Sequence, residues 1–158
     1  MKQNSLLPNK YKKIGWFILI PSMLLGIYIV STGFEFDWLD TKVFAIISDR
    51  SLSDREYFRV TDSNVTNTLT AVLCITGAML VGFSREKIED EFIAGIRLSS
   101  LLWAVGVNYI LLLLALLFIY ESPFMDVMVY NMFTILLLFI GRFNFVVYKN
   151  LKAVSDEK

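Results

Sequence analysis

The chain has 158 residues, 56% of them hydrophobic, with 15 basic residues balancing 15 acidic ones and no histidine. An apolar share above the roughly 45–50% of soluble globular domains, with a mean hydropathy of +0.58, points to lipid contact, and zero net charge offers no excess of cations to neutralise a nucleic-acid backbone. The one cysteine, Cys74, excludes an internal disulfide and, without histidine, leaves zinc, haem and iron–sulfur sites without ligands, so no metal, cofactor or nucleic-acid partner is expected.

A helix needs about 20 mostly apolar residues to cross a hydrocarbon core roughly 30 Å thick, and four segments meet that length. The sequence therefore predicts an all-α membrane protein, a four-transmembrane-helix antiparallel bundle forming a single domain over residues 1–158. Residues 1–13 carry Lys2, Lys10, Lys12 and Lys13 without an acid and read as a cytoplasmic anchor. Residues 14–33 form the first crossing, with Trp16 at its inner interface, a kink at Pro21 and a close-packing notch at Ser22 and Gly26. The run lacks a small-x-small cleavage site and reads as a retained helix.

Residues 34–64 make an extracytoplasmic loop. Phe34, Phe36 and Trp38 alternate with Glu35 and Asp37, which places rings on one side of an extended backbone and carboxylates on the other. Two β-prone runs, 42–48 and 56–61, flank a polar stretch at 49–55 and predict a small hairpin that must rest on the helices, because an isolated hairpin is marginal in water. Asp62, Ser63 and Asn64 supply helix-start chemistry for the second crossing, residues 65–83. Within it Thr70, Cys74, Ala78 and Gly82 recur every fourth residue and make a narrow stripe for close helix approach.

Residues 84–97 hold the charged run, with Ile88, Phe92 and Ile96 on one side and Arg85, Glu86, Glu89, Asp90 and Arg97 on others. This spacing predicts an amphipathic cytoplasmic helix, continuous with the third crossing at 98–120. A tight external turn at 121–124 leads to the fourth crossing at 125–148, and residues 149–158 form a cytoplasmic tail. The third crossing spans about 34 Å at 1.5 Å per residue. Eleven basic residues fall in the proposed inner segments against Lys42, Arg50, Arg55 and Arg59 outside, so both termini face the cytoplasm of a bacterial inner membrane.

Polar side chains at membrane depth are costly unless partnered, which makes them the first candidates for function. Asn108 lies near the middle of the third crossing, and depth counting puts Thr134 within about one turn of it. With Asn131 and the small Gly141, these residues mark an inner face that serves either as an interhelical clamp or as a polar site. Arg142 is the only charge well inside an apolar run, about 9 Å from Tyr148 along the helix. It either snorkels to the headgroups, docks the surface helix through Glu89, Asp90 or Glu91, or lies against Trp103. Glu86, Glu89, Asp90, Glu91 and Arg97 are the docking candidates, and as a carboxylate site they lack a histidine or a second acidic helix. No catalytic constellation is present: no acid lies in the central part of a crossing, and no Gly-rich phosphate loop follows a strand.

Two segments, DEFIAGIRLSSLLWAVGVNY at 90–109 and NMFTILLLFIGRFNFVVYK at 131–149, resemble the second half of small, uncharacterised four-helix integral membrane proteins of Bacteroides-type bacteria. The resemblance rests on an acidic-then-Arg helix entering a crossing and carries no site residue. It implies a signalling or accessory role, because genes of such proteins often neighbour small DNA-binding regulators.

The expected function is that of a non-enzymatic multi-pass membrane protein, an interaction, regulatory or accessory subunit whose partner is another membrane or regulatory protein alongside the lipid bilayer. The alternative is a small transporter or channel subunit that forms a pathway as a homo-oligomer, lined by Asn108, Asn131 and Thr134.

Overall fold

The computed structural model describes residues 6–49, 55–87, 89–120 and 122–156. Over these, the chain is mostly helical: α1 (Lys10–Thr32), a single 3-10 turn (Asp37–Leu39), strands β1 (Asp40–Asp49) and β2 (Arg55–Asn64), then α2 (Thr66–Gly82), α3 (Glu91–Phe118) and α4 (Ser122–Asp156). Three stretches, Lys10–Thr32, Glu91–Phe118 and Pro123–Asn150, are long and apolar enough to cross a membrane. The second predicted crossing is shorter than expected. Its helix has 17 residues, or about 26 Å at 1.5 Å per residue, at the lower limit for a span. The chain divides into two compact units, residues 1–19 with 74–158, and residues 20–73.

In the larger unit, α1 and α2 run antiparallel at very short range. A Cβ at Gly15 would lie 2.8 Å from the backbone nitrogen of Val81, and one at Gly77 would lie 2.8 Å from the backbone nitrogen of Leu19. Each helix thus lacks a side chain where the other's backbone passes, and the missing side chains let the two backbones approach closely. At Gly82 the near neighbour is a side chain: a Cβ there would lie 2.9 Å from the Phe139 ring. Phe139 and Phe143 stack at 6.0 Å between ring centres and are the largest fully buried side chains.

α3 packs on α4 and buries one narrow face, Ile93, Arg97, Ser100, Ala104 and Asn108. The remaining surface of α3 is apolar and open; Leu102, Ile110 and Leu117 are each more than half exposed. The turn between the two helices is tighter than expected: Ile119 caps α3 by donating to the Ala115 carbonyl, and α4 is already helical at Ser122. The expected polar tail is likewise an extension of α4, which continues to Asp156. Glu121 lies outside the described residues.

The smaller unit contains the hairpin. β1 and β2 pair antiparallel from Asp40↔Asn64 to Asp49↔Arg55, so both strands are longer than the β-prone runs suggested; the turn at 50–54 lies outside the described residues. Asn64 ties the ribbon to α2: its Oδ1 accepts from the Thr66 amide at 2.9 Å, while its Nδ2 donates to the Phe36 carbonyl at 2.9 Å and to Asp40 at 2.8 Å. Asn64 is thus the helix-start residue among the three that the sequence offered. Phe34, Phe36 and Trp38 pack edge to face in series, with ring centres 4.9 and 5.9 Å apart; Trp38 lies in the 3-10 turn, so the extended backbone expected for the alternation ends at Phe36. Phe58 adopts φ +55° in β2, the left-handed region that costs a non-glycine residue about 1–2 kcal/mol.

The main departure from the sequence reading is at residues 84–90. No described residue there is helical, and α3 begins at Glu91 with Asp90 as its N-cap, accepting from the Ile93 amide at 2.8 Å. The helical spacing of the charges lost to tertiary alternatives: the backbone of this link is held by the N-terminal segment, where Leu7 donates to the Phe83 carbonyl at 3.0 Å and Arg85 donates to the Leu7 carbonyl at 2.8 Å. Ile88, one of the three residues that suggested an amphipathic face, lies outside the described residues.

Candidate functional site

Four chain segments bring polar groups to one level of the larger unit: the start of α1, the link after α2, the start of α3 and the second half of α4. Lys12 on α1 forms an ion pair with Glu86 of the link and donates to Asn144 Oδ1 on α4 at 2.9 Å. Asn9 donates to the Arg85 carbonyl at 2.7 Å. Ser84, fully buried, turns its hydroxyl back to the Leu80 carbonyl.

Arg97 is the centre of this layer. It is 9% exposed; one guanidinium nitrogen donates to the Gly82 carbonyl at 2.8 Å and to the Ser84 carbonyl at 3.2 Å, and the other reaches both Glu89 oxygens at 3.1 and 3.0 Å. Its guanidinium carbon lies 4.5 Å from the Phe143 ring centre. A cation here satisfies carbonyls at the end of α2 that no further helical turn can reach, and it opposes the negative end of that helix dipole. Glu89 also accepts from the Glu86 amide at 2.8 Å. Of the five docking candidates, then, Glu86, Glu89, Asp90 and Arg97 are engaged within the chain, and Glu91 alone is exposed without such a bond among the described residues. Sequence reasoning missed this role of Arg97, because a helical run of charges assigned it to a solvated face.

Deeper along α3, Asn108 is buried and bonds reciprocally with Asn131: each amide nitrogen donates to the other's oxygen, at 3.3 and 3.2 Å. Thr134 does not join them. Its hydroxyl donates to the Tyr130 carbonyl of its own helix at 2.9 Å, and the Asn–Asn pair takes the place predicted for Asn108 and Thr134. Gly141, also read as an inner-face residue, has an open surface: a Cβ there would meet nothing within 4 Å.

The guanidinium carbon of Arg142 lies over Trp103, 4.6 Å from the ring centre. No acid lies within ion-pair distance of it among the described residues, and its buried Nε has no hydrogen-bond partner. Beside it runs a groove of about 460 Å³ between α3 and α4, whose walls include Glu91, Ile96, Ser99, Ser100, Arg142 and Val146. A second cavity, about 620 Å³, adjoins the polar layer and is lined among others by Lys13, Trp16, Lys87, Phe92 and Val147.

In the smaller unit, register places Phe44 opposite Val60 and sets Ile46 and Phe58 on the same face of the ribbon. All four are more than half exposed, and the rings of Phe44 and Phe58 lie 6.3 Å apart. Among the described residues, no three His, Cys, Asp or Glu side chains gather to hold a metal ion. Compared with known proteins, the chain matches no family, no curated protein and no solved structure, so nothing there bears on the resemblance read from the sequence.

Proposed function

We propose that the protein is a non-enzymatic multi-pass membrane protein, an interaction or accessory subunit that engages a partner polypeptide through the apolar face of its hairpin. Membrane residence is supported by the inverted pattern of α3, which buries Arg97, Ser100 and Asn108 while exposing Leu102, Ile110 and Leu117; a helix in water does the opposite. In this reading α2 is a short fourth crossing of a bacterial inner membrane, both termini are cytoplasmic, and the hairpin is extracytoplasmic.

The observation that carries the partner reading is the contiguous face of Phe44, Ile46, Phe58 and Val60. A two-stranded ribbon is marginal alone in water, and one with four open apolar side chains on a single face gains stability when a partner covers them. The internal pairing of Glu86, Glu89, Asp90 and Arg97 supports the same choice, since it leaves the charged link committed to the chain's own fold.

A photo-crosslinking residue placed at Phe44 or Ile46 in native membranes tests this, with Ala45 on the opposite face as control. The expected result is a discrete adduct with a different polypeptide from 44 and 46 and none from 45, abolished by Phe58→Asp. Adducts with lipid alone, or none, would overturn the partner reading, and adducts between copies of this chain would favour the oligomeric transporter or channel subunit.

A further inference from the structure

We infer that the groove between α3 and α4 binds one phospholipid headgroup that carries both a phosphodiester and an ammonium, the phosphate on Arg142 and the ammonium towards Glu91. The inference rests on the membrane reading above.

Arg142 is always charged, and a guanidinium at the edge of an apolar run without a carboxylate is an expensive arrangement. Its neighbour Phe143 touches Arg97, and Asn144 is bonded to Lys12, so the polar layer of the larger unit lies within one turn of α4. That layer sets the boundary between hydrocarbon and headgroups, and it brings Arg142 to the depth of lipid phosphates. Trp103 lies 4.6 Å from the guanidinium carbon, and with the buried Nε unpartnered and no carboxylate paired to Arg142 among the described residues, the N–H fork is left for an anion. Carboxylates and phosphates fit that fork with two parallel hydrogen bonds.

The groove supplies the rest. Ser99 and Ser100 lie beside Arg142 as hydroxyl donors, Ile96 and Val146 give apolar wall, and Gly95 leaves the wall without a side chain. Glu91 lines the same groove yet stands beyond ion-pair distance from Arg142. Glu91 opens α3, before Arg97 and therefore on the water side of the polar layer. A cation seated deep and an acid nearer water, with space between, complement a zwitterion whose phosphate is inward and whose ammonium is outward. An anionic headgroup without an ammonium would leave Glu91 repelling it, and free inorganic phosphate would gain nothing from the apolar wall.

The test uses the full chain in detergent micelles and counts bound lipid by native mass spectrometry, with phosphatidylethanolamine, phosphatidylglycerol and inorganic phosphate as separate additions. The expected result is one retained phosphatidylethanolamine per chain, favoured roughly tenfold over phosphatidylglycerol, the scale of one charge-assisted hydrogen bond. Arg142→Gln should remove retention of both lipids, Arg142→Lys should keep part of it, and Glu91→Gln should abolish the preference while leaving binding. Helicity and Thr134→Ala, whose hydroxyl bonds only within α4 and which lies outside the groove lining, serve as folding controls. Equal retention by Arg142→Gln and wild type, an unchanged preference in Glu91→Gln, or equal occupancy by inorganic phosphate would each overturn the proposal. Carbonate extraction of the wild-type chain from native membranes separates the two readings: release into the soluble fraction refutes membrane residence itself, whereas retention with no bound lipid refutes the headgroup site alone.

Discussion

Replacing Arg97 by Gln should be the most damaging single change in the charged link. The side chain makes four polar contacts, two to the Gly82 and Ser84 carbonyls at the end of α2 and two to Glu89, and its removal leaves Glu89, 17% exposed, with only the Glu86 amide. Each charge-assisted bond is worth about 1.5–3 kcal/mol, but they share one guanidinium and do not add. Orphaning one member of a buried pair costs about 3–5 kcal/mol; with both groups slightly exposed, we expect about 3 kcal/mol, near the lower end of that range. Glu89→Gln should cost less, because Arg97 keeps both carbonyls. Reversible unfolding in mixed detergent micelles, followed by circular dichroism, gives the difference directly, and the double variant should cost less than the two single losses combined. If Arg97→Gln unfolds within about 0.5 kcal/mol of wild type, the size of an ordinary surface substitution, the assignment of Arg97 as the clasp between α2 and the link is wrong.

Three further outcomes are expected. Gly77→Val and Gly15→Val drive a side chain into backbone at 2.8 Å and should each destabilise the chain by about 1–3 kcal/mol or more by overpacking; Gly95→Ala, which meets nothing within 4 Å, should be near neutral in the same unfolding assay. Asn108→Leu and Asn131→Leu should each cost about 0.6–2 kcal/mol, the range for interhelical polar contacts in membranes, and a double-mutant cycle should show them coupled, while Thr134→Ala, whose bond stays within α4, should show no coupling to Asn108. Alkaline phosphatase fused after Asp54 should be active and after Lys87 inactive; an inactive fusion at Asp54 would refute the proposed orientation.

Much of the secondary structure follows from local pattern. Apolar runs of membrane length mark α1, α3 and α4, alternation with β-branched and aromatic residues marks the two strands, and the i, i+4 recurrence of Ser100, Ala104 and Asn108 marks the buried face of α3, because side chains four apart lie on one side of a helix whatever it packs against. The same rule failed for residues 84–90. Helical spacing there is real in the sequence, but a helix short of stabilising contacts yields to better partners, and these were supplied by Leu7 and Lys12 from far along the chain and by Arg97 from the helix that follows.

What only the tertiary structure decided is pairing and distance. Depth counting brought Asn108 to the right level but could not choose between Thr134 and Asn131, which lie about 4.5 Å apart along one helix at 1.5 Å per residue; the rotation of α4 about its own axis makes that choice, and rotation is set by packing. Gly15 and Gly77 carried no visible signal, since a glycine shows its purpose only when another backbone arrives where its side chain would be. The charged run at 84–97 supplied the ionisable groups by composition alone; that Arg97 turns inwards to close α2 while Glu91 stays open to the groove depends on which charges found partners first-hand in space, and no periodicity in a single chain records that.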